Sequence, residues 1–81
     1  MQCIWMVDLN TNPDFLIPED GNYLVKTVWE SDSSLNGKFS HTQYLEVRAK
    51  RHFDTKKNKH VNHFDCNNQK VIMVSSAPLI K

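Results

Sequence analysis

Residues 43–53, QYLEVRAKRHF, decide the fold. Read as a strand, they place Leu45, Val47, Ala49 and Phe53 on one face, with Arg51 as the exception. Tyr44, Glu46, Arg48, Lys50 and His52 then share the other face, because successive side chains of a strand alternate. Leu, Glu, Ala, Arg and Lys are also good helix formers, so a helix is the competing reading. Alternation sustained over so many positions favours the strand. The choice matters for function, since a helix would scatter Arg48, Lys50 and Arg51 around its axis.

Working outward, residues 54–59 (DTKKNK) form a charged hairpin tip and residues 60–66 (HVNHFDC) the returning strand. Asn67-Asn68 mark another turn, and residues 71–74 (VIMV) a last short apolar strand. Pro78, in the tail, is excluded from any central ladder position. Upstream, Asp20-Gly21 opens NYLVKTVWE, where Tyr23, Val25, Thr27 and Trp29 fall on one face and Leu24, Lys26 and Val28 on the other. β-Branched and aromatic residues dominate there, which marks a strand. Residues 31–38 read as a polar loop ending in the turn pair Asn36-Gly37. Residues 10–21 hold two prolines, two asparagines and a glycine, so they read as a loop, with Phe15, Leu16 and Ile17 tucking a side chain or two under the sheet. Residues 2–7 (QCIWMV) suit a short buried strand. The sum is an all-β fold of about five strands, a twisted antiparallel meander or small open barrel. A β-rich α+β arrangement is its nearest relative.

Eighty-one residues make one domain, 1–81, and domains of this size are marginally stable. The apolar content of 40%, with eight aromatics, suffices for a core and argues against disorder. Homodimerisation is a common way for so short a chain to add buried area. The opening MQCIWMVD lacks the basic n-region and long apolar h-region of a signal peptide, and no apolar run approaches the ~20 residues of a membrane span. The expected compartment is the cytoplasm, with Cys3 and Cys66 reduced there rather than bridged. No nucleophile elbow, phosphate loop, HExxH or paired-carboxylate arrangement is present, so the chain reads as a non-enzyme without a cofactor.

Charge is polarised along the chain. Residues 1–35 carry a net −5 and residues 36–81 a net +6, inside a total of +1. Arg48, Lys50, Arg51, Lys56, Lys57 and Lys59 put six of the ten Lys and Arg residues within twelve positions. With Tyr44 they form the candidate partner-binding set: basic residues to steer an acidic partner, and an aromatic to anchor it. The plain alternative is a solvated outer face, where Lys also discourages edge-to-edge aggregation. The same ribbon suits phosphates, with Tyr44 or a histidine stacking on a base. The near-neutral total argues against a dedicated nucleic-acid binder. The acids of the first half are ordinary turn residues, or neutralise the basic hairpin across the fold or in a dimer.

His52, His60, His63 and Cys66 offer zinc-compatible atoms, but residues three apart on a strand point to opposite faces and no second ligand pair is present. Surface histidines are the simpler account, and no metal is expected. Most aromatics are needed for the core. Tyr44 and Trp29 are the two expected to stand exposed.

The stretch Pro18-Glu-Asp-Gly-Asn-Tyr-Leu-Val-Lys-Thr27, followed by Val74-Ser-Ser-Ala-Pro-Leu79, resembles small bacteriophage- and prophage-encoded proteins in which a Pro-x-Asp-Gly-x-Tyr-x-Val segment opens a β-rich domain with a Pro-containing tail. The resemblance implies a mobile-element accessory protein acting in the host cytoplasm, of a kind that binds a host protein stoichiometrically. It transfers no functional residues. The leading expectation is therefore a small binding protein that engages or inhibits a host protein through the basic hairpin. Nucleic-acid binding by the same hairpin is the first alternative, and a structural or assembly component is the second.

Overall fold

The computed structural model describes residues 5–33 and 37–79. Five antiparallel strands form one open sheet: β1 (Met6–Asp8), β2 (Gly21–Ser33), β3 (Gly37–Asp54), β4 (Lys59–Phe64) and β5 (Lys70–Ser75), in the order β1-β5-β2-β3-β4. The all-β expectation holds, and residues 43–53 are strand. β2, β3 and β4 form a meander. β5 leaves it by crossing to the far side of β2, where β1 pairs with its outer edge. Of the expected strand 2–7, residues 2–4 lie outside the described residues, and β1 is short.

The alternation of β2 and β3 sets the core. Tyr23, Val25 and Thr27 of β2 are buried and face the same way as Val47 and Ala49 of β3. β5 contributes Val74 directly and Val71 through a bulge: Lys26 pairs with Met73 but Thr27 pairs with Val71, which leaves Ile72 as the extra residue. The bulge turns two residues three apart toward the same core, and Leu9 N–H donates to the Ile72 carbonyl at 2.9 Å.

A single sheet needs a cover, and the segment between β1 and β2 supplies it. Ile17 is 1% exposed, and Leu9 and Phe15 pack beside it. Asn62 of β4 fixes this segment by donating its amide N–H to the Phe15 carbonyl at 2.8 Å and accepting from Ile17 N–H at 2.8 Å. Tyr23 closes the next turn: its hydroxyl donates to the Glu19 carbonyl, four residues back. Burial pushes the Tyr23 phenol above its ordinary pKa.

Several boundaries differ from the sequence expectation: the returning strand foreseen at 60–66 is β4, Lys59–Phe64, and the hairpin before β3 is longer than foreseen. β2 runs on to Ser33 and β3 starts at Gly37, so most of the polar loop foreseen at 31–38 is hairpin arm; residues 34–36 lie outside the described residues. Trp29 and His41 face each other across this arm and stack at 4.2 Å, which favours continued pairing. Phe53, assigned to the core face, is 45% exposed. It lies beyond the point where Asn62 anchors the covering segment, and it makes an edge contact with His60 instead.

Replacing Asn62 with Ala leaves a backbone donor and a backbone acceptor without partners, at a cost of about 2–4 kcal/mol. Urea unfolding of Asn62→Ala and wild type would measure this, and Asn62→Asp, which keeps only the acceptor, should fall between them.

Candidate binding surface

The seven residues singled out in the sequence do not form one patch. Tyr44, Arg48 and Lys50 share the open face of the sheet, away from the covering segment, as alternation requires. Arg51 lies on the opposite face beside Asp20, whose carboxylate accepts from Arg51 N–H at 2.9 Å. Lys56 and Lys57 sit in the β3–β4 turn. Their backbone N–H groups donate to Asp54 Oδ1 at 2.9 and 3.3 Å, and Asn58 completes the turn with a φ of 54°. Lys59 opens β4 and donates to Asp14 at 2.7 Å, the one ion pair among the described residues.

Part of the acidic segment therefore does neutralise the basic hairpin across the fold. Asp14 and Asp20 are carried there because the covering segment must cross the sheet to bring Ile17 into the core. The hydrogen bond from Lys59 holds the Asp14 carboxyl below its ordinary pKa, with the Lys59 charge as the next cause.

What remains open is the face centred on Tyr44. Its side chain is 59% exposed, and Lys26 Nζ lies 5.7 Å from the ring centroid, within cation–π range. Arg48 and Lys50 continue the row along β3, and His63 stands opposite Lys50. Glu46 interrupts the positive charge between Tyr44 and Arg48. Sequence reasoning missed Lys26 as a member. It placed Lys26 on the face opposite Tyr23, Val25 and Thr27, but only the pairing of β2 with β3 sets it opposite Tyr44.

The other candidates are dispersed. His60 lies opposite Phe53 and His63 opposite Lys50, on different faces of β4. Cys66 is buried and its thiol donates to the Gln69 carbonyl at 3.4 Å; burial raises its pKa. Among the described residues, no group of three His, Cys, Asp or Glu side chains is placed to hold a metal ion. Cys3 lies outside the described residues. A cleft of about 720 Å³ opens where β5 begins and β2 continues, between Val28–Glu30 and Asn67–Lys70. Trp29 lines it and is exposed as foreseen, but Trp5 (72%) and Phe39 (44%), counted toward the core by composition, are exposed too.

The Asp14–Lys59 pair predicts a pH dependence. Because the folded-state pKa of Asp14 is depressed, its contribution is complete above the ordinary value of 3.8 and is lost as pH falls through the folded value. Both partners are solvent-exposed, so the contribution is small. In acid-unfolding series, Asp14→Asn should be slightly less stable than wild type at neutral pH, with the difference closing in strong acid and shrinking in high salt. Comparison with protein-family models, with curated proteins and with solved structures finds no match to this chain.

Proposed function

We propose that this chain is a small non-enzymatic binding protein that holds an acidic protein partner on the open face of its sheet. Tyr44 is the anchor, and Lys26, Arg48 and Lys50 steer the approach. Lys56 and Lys57 extend the positive field past the end of the sheet. Charges so placed raise association rate and selectivity more than raw affinity, while a large exposed aromatic supplies contact area. The observation that carries this reading is Tyr44 itself: a mostly exposed ring on the open face of the sheet, with Lys26 across from it and Arg48 and Lys50 further along β3, none of these cations held in an ion pair among the described residues. The resemblance of Pro18–Thr27 and Val74–Leu79 to phage and prophage proteins makes a host protein the natural partner.

The same face suits a single-stranded nucleic acid, because a base stacks on Tyr as readily as a side chain packs on it. Glu46 favours the protein partner, since a carboxylate inside the row opposes a phosphate track.

Two measurements test the proposal. Immobilised wild type should retain a partner that the double reversal Arg48→Glu/Lys50→Glu loses and Tyr44→Ala weakens. Equal retention of every captured protein by the reversed variant would remove this face from the function. Fluorescence anisotropy with labelled single- and double-stranded oligonucleotides should show no specific binding. Micromolar binding that collapses between about 50 and 200 mM salt would instead assign the face to nucleic acid.

A further inference from the structure

β3 is much longer than its outer neighbour. β4 pairs with it only from Ala49 to Asp54, and Asp65 N–H takes the Arg48 carbonyl at 2.9 Å. From Lys38 to Glu46 the edge on that side pairs with nothing among the described residues. Arg48 directs its backbone groups toward β4, so by alternation Lys38, Ser40, Thr42, Tyr44 and Glu46 present theirs along the unpaired edge. Arg51 N–H, which points the other way to Asp20, agrees with this alternation.

An exposed edge of this length invites another strand. Proteins usually blunt such edges with Pro, bulges, closely spaced charge or a cover. Here the window holds no proline, pairs with β2 in unbroken register, and has charge only at its two ends. The window is bounded by Gly37, which enters β3 at a φ of 83°, and by Arg48, whose carbonyl is already used. Its midpoint is Thr42.

We infer that this edge is an interface between two copies of the chain, paired antiparallel about Thr42. In that register Thr42 meets Thr42, Ser40 meets Tyr44, and Lys38 meets Glu46 of the second copy. These are the residues whose backbone groups face outward, so the ladder forms without rotation of either strand. Phe39, exposed in the single chain, falls opposite Leu45 on the face that carries the core. Shifting the register by two residues in either direction removes the Lys38–Glu46 pairing and the Phe39–Leu45 pairing together. Opposite charges and apolar pairs directly across a ladder are the contacts that select a register. The two-fold axis passes through the Thr42 pair and closes the assembly at two copies.

The inference rests on the backbone edge and not on a partner held at Tyr44, although the ladder sets Ser40 of the second copy opposite Tyr44. Sedimentation of the full chain from low to high micromolar concentration should show a reversible monomer–dimer equilibrium with no larger species. Glu46→Lys, which sets like charges opposite each other twice per dimer, should weaken the association about tenfold. Lys38→Glu/Glu46→Lys should restore it. Thr42→Pro, which removes an outward N–H and no bond to β2, should abolish the dimer. A chain that stays monomeric throughout, one that forms open-ended species, or a dimer indifferent to Thr42→Pro and to both charge variants would overturn the inference. So would a wild-type edge that takes up an added extended peptide of unrelated sequence as readily as a second copy.

Discussion

The amide of Asn62 is the contact on which the rest of the molecule depends. One open sheet has no second layer to bury its apolar face against, so a length of irregular chain must serve instead. Irregular chain carries backbone donors and acceptors that cannot be left dry. Asn62 answers both needs from within β4, taking one donor from Ile17 and supplying one donor to Phe15. Ile17 then closes over Tyr23 and Val25, and Tyr23 returns its hydroxyl to the Glu19 carbonyl at the end of the same segment. The placement of Asp14 and Asp20 beside Lys59 and Arg51 follows from this docking.

The contrast between acidic and basic halves therefore has two origins. On the covered side, carboxylates are delivered to the hairpin by a segment whose main task is apolar burial, and they temper its field. On the open side, no described segment crosses the sheet. Tyr44, Arg48 and Lys50 stay exposed there, and Lys26 half-buried, because the covering segment lies on the opposite face. The near-neutral total in the sequence averages these two surfaces and describes neither.

The alternation in 43–53 and 22–30 was enough to fix both as strands and to separate Arg48 and Lys50 from Arg51, because a two-residue period needs no knowledge of partners. The tucking of Ile17 was legible from an apolar triplet stranded in a polar loop. The bulge at Ile72 was not, since VIMV is apolar at every position and shows no period to break. The neighbourhood of Lys26 and Tyr44 was hidden for another reason: it depends on the register of β2 against β3 across an intervening turn. Trp29 with His41, and the length of the arm they belong to, depend on the same register. Composition also misled over Trp5 and Phe39, because one face of one sheet is too small to bury every aromatic the chain carries.

The pairing of Met6 with Ser75 joins segments from nearly opposite ends of the described chain. Contacts of such wide sequence separation make folding slow, because a large loop must close before its contacts repay the entropy. The β2–β3–β4 meander is built from near neighbours and is suited to form early. Until β5 follows it and returns beside β2, that edge of β2 has no neighbour. β1 comes first in sequence but must be among the last strands to find its place.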